Sequence, residues 1–317
     1  MATPSLADVY RARQVVGRYL APTPLLRSRG LSERTGADVY VKYENLSPIR
    51  SFKGRGGVYC ASRFGAGIAG IACASTGNHG QGMALGARLF GQRAVVVVPE
   101  GANPRKMAAI AEMGADLRVH GAHLGDANKD AKRIAVAESL AFVEDGEDPD
   151  VMIGCATLGL EIVEQCPDYD DLIVPVGGGN LLAAMALVTK TLRPEARLIG
   201  VQSSAAPAVY SSWREKRPVH LGPAQTFAGG LATSVPGLYT FPFLRDHVDD
   251  FRVVDDEALL DAAVVMLEET GHLPEGAGAA ALAALLAHPE RHAGRIVVVL
   301  LSGGNFESVI WQRVRTA

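Results

Sequence analysis

The 317-residue sequence has no strong excess of charge, few cysteines and no long hydrophobic run. Its net charge of −3 gives no basic field that would attract nucleic acid, so we expect no nucleic-acid partner. The four cysteines form no C-x-x-C pair, which is typical of a reduced, cytoplasmic protein. The strand-like apolar runs at 94–98 and 296–301 are too short to cross a membrane, and the polar N-terminus predicts no secretory signal.

Several common catalytic and binding motifs are also missing. The sequence has no G-x-S-x-G, which argues against a hydrolase with a nucleophile elbow, and no H-E-x-x-H zinc motif. A G-x-G-x-x-G pattern that begins at Gly177 fails, because Leu182 occupies the third glycine position and Gln202 replaces the expected acid. No G-K-[ST] follows, so a P-loop is excluded as well. These absences argue against a nucleotide-binding oxidoreductase and an NTPase.

Glycine, in contrast, is abundant, and strand-like and helix-like segments alternate. The chain has 35 glycines in 317 residues, about 11% against a usual ~7%. Between the apolar runs lie amphipathic segments such as 104–114 and 255–271, which predict helices. The alternation predicts an α/β fold with parallel sheets covered by helices on both faces. The predicted strands are 38–44, 67–75, 94–99, 115–121, 171–176, 197–202 and 295–301. The acidic segment 144–150 is interpreted as a boundary or exposed loop.

Three polar, glycine-containing loops follow predicted strands. They are 75–79 (STGNH), 177–180 (GGGN) and 302–305 (SGGN). Backbone amides at a helix N-terminus bind anions, and glycines let the chain curl its N–H groups around an oxyanion. We expect 177–180 to bind a phosphate, since a structural turn rarely needs three consecutive glycines. For 75–79, anion binding and simple helix capping are equally good interpretations, and 302–305 is also compatible with a capped turn.

Lys53 has unusual neighbours for a surface lysine. It directly follows Phe52, and Gly54, Gly56 and Gly57 come soon after it. Pyridoxal phosphate (PLP) needs a lysine for its aldehyde, an amide cradle for its phosphate and close access for its flat ring. The lysine segment and the two loops that follow strands supply these groups, with further donors for the carboxylate of an amino-acid substrate. The sequence therefore predicts PLP as cofactor and a small amino acid as substrate.

Five motifs occur in a fixed order: SFKGRGG, STGNHGQG, VGGGNLL, PEGAGAAAL and LSGGN. Together they resemble the fold-type II PLP enzymes, in particular the threonine/serine dehydratase and serine racemase group, over essentially the whole chain. The resemblance implies a tryptophan synthase β-subunit-like fold with two open, twisted, mostly parallel sheets and helices on both faces. It also implies a large PLP-binding domain (1–69 and 148–317), a small mobile domain (70–147) and a homodimer.

The same resemblance implies a role for each motif residue. Lys53 forms the Schiff base and exchanges protons at Cα, and Thr76 stands where serine racemases place a second catalytic hydroxyl. The residues implied to bind the cofactor are Phe52 beside the ring, Lys53, Asn78 at the ring hydroxyl, Gly177, Gly178, Gly179, Asn180 and Leu181 at the phosphate, Glu275 near the reaction centre and Ser302 at the pyridine nitrogen. The residues implied to bind the substrate are Arg50, Ser75, Thr76, Gly77, Asn78 and His79.

The expected reaction follows from the serine at the pyridine nitrogen. A hydroxyl cannot keep the ring nitrogen protonated as a carboxylate would, which favours loss of a β-substituent over transamination. We therefore expect a lyase, a PLP-dependent dehydratase (ammonia-lyase) that converts serine, threonine or a related β-hydroxy amino acid to a 2-oxo acid and ammonia. A serine-type racemase, a lyase for hydroxyaspartate or diaminopropionate, and a PLP-binding protein without catalysis remain alternatives.

The sequence differs from the pattern of relatives in two places. Many relatives have Thr-Gly where this chain has Ile49 and Arg50, and the arginine would bind either a second substrate carboxylate or a surface acid. Several relatives bind Mg²⁺ or Ca²⁺ through acids at the positions of Gln202 and Ala208, so no metal of that type is expected here.

Overall fold

The computed structural model describes residues 3–65 and 67–317. The described chain forms ten strands, thirteen α-helices and two short 3₁₀ helices at Glu44–Leu46 and Pro289–Arg291. The strands are β1 Leu25–Arg27, β2 Asp38–Tyr43, β3 Gly70–Ala74, β4 Arg93–Val98, β5 Asp116–Val119, β6 Ala141–Phe142, β7 Asp171–Pro175, β8 Arg197–Ser203, β9 Asp250–Val254 and β10 Ile296–Leu301. The helices are α1 Leu6–Val16, α2 Arg29–Thr35, α3 Lys53–Ser62, α4 Asn78–Leu89, α5 Pro104–Glu112, α6 Leu124–Ala137, α7 Pro149–Gln165, α8 Asn180–Leu192, α9 Ala208–Glu215, α10 Phe241–His247, α11 Asp256–Thr270, α12 Gly276–Ala287 and α13 Ser308–Thr316.

The chain divides into two compact units. Unit 1 contains the N-terminal segment through Ala21 and residues Lys53–Thr157, and unit 2 contains Pro22–Phe52 and Leu158–Ala317. Unit 1 holds a four-stranded, fully parallel sheet in the order β5-β4-β3-β6. Unit 2 holds a six-stranded sheet in the order β1-β2-β10-β7-β8-β9, in which only the β1–β2 pair is antiparallel. The predicted α/β class with two mostly parallel sheets is confirmed.

Each unit has its own apolar core. In unit 1, one side of α6 presents Ala127, Ala131 and Ile134, spaced four and three residues apart, to the buried Val95 and Val97 of β4. In unit 2, the alanine-rich α12 is buried from Gly276 to Leu285 and packs against alternate residues of the central strands, including Val297, Val299 and Leu301 of β10. Central parallel strands are covered on both faces, which explains their nearly unbroken Val/Ile/Leu runs.

The compact units divide the chain at other positions than the predicted domain boundaries of 69/70 and 147/148, which stay a prediction. Residues 53–65 belong to unit 1 with the 70–147 segment because α3 and α4 approach very closely, and residues 148–157 belong to it too. A Cβ added to Gly57 would lie 1.9 Å from the carbonyl oxygen of Gly82, and one added to Gly86 would lie 2.1 Å from the carbonyl oxygen of Gly57. That residues 70–147 move as a small domain stays a prediction.

The contact between α3 and α4 gives a first testable prediction. We expect Gly57→Ala to lower the free energy of unfolding by about 2–3 kcal/mol, because the added methyl group forces the two helix backbones apart. The measurement is thermal unfolding of the purified protein. Gly125→Ala near the start of α6 is the control, since its Cβ would meet nothing within 4 Å and its stability should stay the same or rise slightly. Equal stability of Gly57→Ala and the parent protein would contradict this packing.

Candidate active site

In unit 2, two of the predicted site loops start at the same edge of the sheet. Strands β7 and β10 are parallel neighbours, with Val299 opposite Ile173. Parallel strands end at a common edge, so the glycine loop after β7 and the Ser302 loop after β10 both leave from the carboxyl edge of this sheet. Sites in such sheets form at this edge, as the sequence predicted.

The glycine loop between β7 and α8 has the form of an anion cradle. A Cβ on Gly177 would lie 2.5 Å from the carbonyl oxygen of Gly230, and Gly179 has a φ of 106°, so both positions require glycine. A Cβ on Gly178 would meet nothing within 4 Å, so the backbone there borders open space. Asn180 begins the helix, whose first N–H groups have no partner within the helix and whose dipole favours negative charge. The predicted residues Gly177 to Leu181 therefore fit a phosphate.

Ser302 lies next to the segment that leads to Lys53. Its side chain is buried, and its carbonyl oxygen accepts a hydrogen bond of 3.2 Å from the N–H of Phe52. Ser51 and Gly303 form an antiparallel bridge, and the N–H of Gly304 donates to the Arg50 carbonyl at 2.9 Å. The structure thus brings the predicted residues Phe52 and Ser302 together at the end of β10.

Glu275 joins the same group of residues in unit 2. It is buried at the N-cap of α12, and its N–H donates to the Gly303 carbonyl at 3.0 Å. A Cβ on Gly303 would lie 2.5 Å from Oε1 of Glu275, and a Cβ on Gly230 would lie 3.8 Å from the same oxygen. Because Gly230 also contacts Gly177, one loop touches both the glutamate and the anion cradle.

In unit 1, the loop 75–79 connects β3 to α4. The hydroxyl oxygen of Ser75 accepts hydrogen bonds from the N–H groups of Gly77 at 3.2 Å and Gly80 at 3.0 Å, so it stabilises the loop itself. This is the capping interpretation that the sequence left open for Ser75. Thr76 and Asn78 are half-buried, and Asn78 is the first residue of α4.

The amine of Lys53 lies at the carboxyl edge of the unit 1 sheet. Lys53 begins α3, its side chain is 13% exposed, and its Nζ donates to Oδ2 of Asp145. Asp145 follows β6, which is the parallel neighbour of β3, the strand that leads into the loop 75–79. Burial alone would raise the pKa of Asp145, but the Lys53 ammonium and His79 outweigh this effect and lower the pKa.

His79 is the buried member of the loop. Burial lowers the pKa of its imidazole, an effect that Asp145 partly offsets, so the ring is neutral at pH 7. Within the described residues, neither ring nitrogen of His79 nor Oδ1 of Asp145 has a hydrogen-bond partner of normal geometry. Buried polar atoms of this kind are the donors and acceptors that a bound ligand uses.

Asp145 was not expected from the sequence. The acidic, turn-rich composition of 144–150 indicated a boundary or exposed loop. The segment is a loop, but Asp145 is folded back against Lys53. A strand directly before this acidic turn would have placed Asp145 at the carboxyl edge of a sheet. That strand, β6, has only two residues and cannot be recognised from the sequence.

Arg50 stands apart from the other predicted residues. Its side chain is exposed, and its φ of 52° is in the left-handed region, which favours glycine. In the described chain its guanidinium forms no ion pair within 4 Å, so the surface-acid partner considered from the sequence is not observed.

Gln202 has a structural contact at the position where relatives place a metal ligand. Its side-chain oxygen accepts hydrogen bonds from the N–H groups of Val209 at 3.1 Å and Tyr210 at 3.0 Å, in the first turn of α9. The absence of a metal stays a prediction. Across the described residues, no helix has the length and apolar character needed to cross a membrane.

Each unit, taken by itself, contains groups that PLP requires. Unit 2 supplies a backbone cradle at the start of α8 that a Cβ on Gly177 would obstruct, together with the buried hydroxyl of Ser302. Unit 1 supplies a shielded lysine amine and buried polar atoms available to a ligand. These are the donor types that the phosphate, the ring nitrogen and the aldehyde of PLP require.

Comparisons with known proteins agree with this assignment. The family model described as "Pyridoxal-phosphate dependent enzyme" matches residues 16–303. An L-threonine ammonia-lyase of Thermotoga maritima is 35% identical over 98% of this chain and 78% of its own length. An L-threo-3-hydroxyaspartate ammonia-lyase of Saccharomyces cerevisiae is 33% identical over 97% of this chain and 95% of its own length. A solved threonine deaminase from T.th. superimposes with a TM-score of 0.92 at 36% identity, covering 96% of this chain and 99% of the other.

These matches confirm the resemblance and the cofactor expected from the sequence. The family match spans the lysine segment, the loop 75–79 and the glycine cradle, and ends at Gly303. The chain therefore belongs to the family of pyridoxal-phosphate dependent enzymes, and pyridoxal phosphate is its cofactor.

Proposed function

We propose that this enzyme is an ammonia-lyase (dehydratase) that removes the β-hydroxyl of serine, threonine or a related amino acid and releases a 2-oxo acid and ammonia. The observation that carries the proposal is the position of the Lys53 amine. It contacts a residue that follows β6, at the edge of the sheet where the loop 75–79 follows β3. A lysine base and a loop for a substrate carboxylate thus share one edge of one unit.

The residues of unit 1 bind the substrate and move its proton. Backbone amides and side chains of Ser75, Thr76, Gly77, Asn78 and His79 bind the carboxylate, with α4 behind them adding its positive dipole end. Bound PLP supplies the electron-withdrawing ring that accepts the electron pair freed at Cα. Lys53 takes the Cα proton on Nζ and is the general base of the reaction.

The residues of unit 2 would hold and tune the cofactor. The amides of Gly177 to Leu181 would bind its phosphate, Phe52 would lie beside the ring, and Glu275 would lie near the reaction centre. The hydroxyl of Ser302 would leave the ring nitrogen unprotonated, which favours loss of the β-hydroxyl over transamination. Asn78 would hydrogen-bond the ring hydroxyl, as the family resemblance implies.

A second candidate substrate is a β-hydroxy amino acid with a side-chain carboxylate, such as 3-hydroxyaspartate. The observation that favours it is Arg50, which keeps a left-handed backbone at a cost of about 1 kcal/mol although glycine would avoid that cost. Its exposed guanidinium suits bidentate binding of a carboxylate. The yeast relative is named for this substrate.

A substrate series tests both candidates. We expect 2-oxo acid from L-serine, L-threonine and L-threo-3-hydroxyaspartate to be measurable with the purified enzyme. If Arg50 binds the second carboxylate, Arg50→Gly should reduce kcat/KM for hydroxyaspartate by about tenfold or more and change that for serine little. Equal effects on both substrates would contradict the role of Arg50, and no 2-oxo acid from any of them would contradict the lyase.

Racemisation is a weaker candidate. Thr76 stands at the position of the second catalytic hydroxyl of serine racemases, and its additional methyl group makes that role less suitable.

We further propose a cytoplasmic homodimer. All four cysteines are buried free thiols, as expected in a reducing compartment, whereas the dimer rests on the family resemblance alone.

A further inference from the structure

The contact between Lys53 and Asp145 joins the expected cofactor lysine to an acid that none of the family motifs includes. The Lys53 side chain is 13% exposed and the Asp145 side chain 32% exposed, so water only partly screens the pair. Hydrogen bonds between charged partners are the strong ones. This contact therefore links the position of the Lys53 amine to Asp145.

Hydrogen bonds anchor the chain on both sides of Asp145. The N–H of Val143 donates to Ala72 and extends the β3–β6 pairing, and a turn follows in which the N–H of Glu147 donates to Glu144 at 3.2 Å. Glu144 is fixed to α6 by a hydrogen bond of 2.6 Å from Asn128. The chain around Asp145 is thus anchored on the strand side of the turn.

The start of α7 anchors the other side. Oδ1 of Asp148 accepts hydrogen bonds from the N–H groups of Asp150 at 2.8 Å and Val151 at 3.1 Å, which caps the helix. Asp148 therefore uses its carboxylate within its own segment, whereas Asp145 directs its carboxylate at the lysine. Asp145 and Asp148 are three residues apart, and their carboxylates bind different partners.

Other titratable and charged groups face the pair from the elements packed around it. They are Cys73 on β3, His79 on α4, Asp148 and Cys155 at α7, and Arg55 on α3. Burial raises the pKa values of both thiols to about 12, so they carry no charge at neutral pH. Burial also lowers the pKa of the histidine, which is neutral as well. Asp145 accepts a hydrogen bond from the lysine amine.

We propose that Asp145 is a positioning residue for the cofactor lysine and holds its amine in place whenever that amine is not bonded to PLP. The proposal rests on the proposed role of Lys53. When Nζ takes the Cα proton, the C–H bond breaks and its electron pair stays on Cα. That pair forms the Cα–Cβ double bond as the Cβ–O bond breaks, and Nζ passes the proton to the departing hydroxyl, which leaves as water.

Two consequences follow for Asp145→Asn. The amine loses its charged partner and is positioned less well, so half-maximal PLP capture should need about tenfold more PLP. For the same reason kcat should fall by about tenfold or more with little change in KM. General damage to the fold would also lower the unfolding temperature, whereas loss of positioning would not.

The experiment is a titration of the dialysed full-length enzyme with PLP across a range of pH, followed by visible absorbance, with steady-state kinetics alongside. Glu144→Gln is the matched control, because it neutralises an acid of the same turn that contacts α6 instead, and its capture profile should stay unchanged. Asp145→Glu keeps the charge and should restore most of the parent profile. If the Asp145→Asn profile and kcat both equal those of the parent, the inference is wrong.

The outcome separates this inference from the proposed function. Lys53→Ala tests the lysine itself, whereas Asp145→Asn tests only what holds it. An inactive Lys53→Ala beside an unaltered Asp145→Asn would leave the lyase intact and remove the role of Asp145. A Lys53→Ala variant that binds PLP and turns over normally would remove both.

Discussion

Replacing Lys53 with alanine is expected to abolish the visible absorbance of the cofactor–lysine bond and to reduce turnover by about 10³-fold or more. The variant loses the amine that binds PLP covalently and the base that takes the Cα proton, and no other lysine is placed in the proposed site. Absorbance spectra and 2-oxo acid release measure the two losses separately.

Lys129→Ala is the control for that experiment. Lys129 is on α6 with a side chain that is 83% exposed, so its removal should leave both spectrum and turnover unchanged. If Lys53→Ala kept the parent spectrum and rate, the lysine would not be the cofactor residue, and the role of Asp145 would fall with it.

The second large effect, on stability, is expected at the amino edge of the unit 2 sheet, opposite the edge of the candidate site. Asp171, the fully buried first residue of β7, accepts hydrogen bonds from His292 at 2.6 Å, from Arg197 at 2.6 and 2.7 Å and from Arg295 at 3.0 Å. Asp171→Asn leaves these donors without their anion, and we expect the free energy of unfolding to fall by about 3 kcal/mol. The arginines are partly exposed, so we take the low end of the range for broken buried pairs.

Thermal or denaturant unfolding measures this loss. Asp246→Asn removes the acid of an exposed pair with Arg245 and should change stability by less than about 1 kcal/mol. Because Asp171 is at the amino edge of the strands, away from the candidate site, kcat of folded Asp171→Asn should stay near that of the parent. A variant as stable as the parent would contradict the assigned role of this cluster.

The same cluster predicts how stability depends on pH. Burial would raise the pKa of Asp171, but hydrogen bonds from His292, Arg197 and Arg295 outweigh it and hold the pKa well below its usual range. A depressed pKa means that the carboxylate stabilises the fold above the ordinary value of about 4, and that this stabilisation is lost as pH falls below it. The difference between the parent and Asp171→Asn should therefore be constant near neutral pH and shrink in acid.

The sequence predicted most of the regular structure, for physical reasons. Long apolar runs such as 295–301 form the central strands because burial on both faces leaves no polar alternation. The short strands β1 and β6, of three and two residues, were missed because their periodicity is too brief to recognise. The five-residue strand β9 was missed as well. The predicted domain boundaries were based on the family pattern. The close approach of α3 to α4 could not be predicted, because it depends on glycines whose spatial partners a sequence does not reveal.

The candidate site shows the same limit. Glycine loops after strands could be recognised, because three consecutive glycines before a helix have a specific use in anion binding. The contacts of Glu275 with Gly303, and of Asp145 with Lys53, join segments that are distant in the chain, and composition carries no signal for them. Ser75 shows the reverse case, since its capping role is local and could be anticipated.

The product balance of the purified enzyme tests the central claim most directly. With L-serine or L-threonine as substrate, the proposed lyase predicts equal amounts of 2-oxo acid and ammonia, which disappear together in Lys53→Ala. Formation of the D-enantiomer without 2-oxo acid or ammonia would contradict the lyase and identify a racemase.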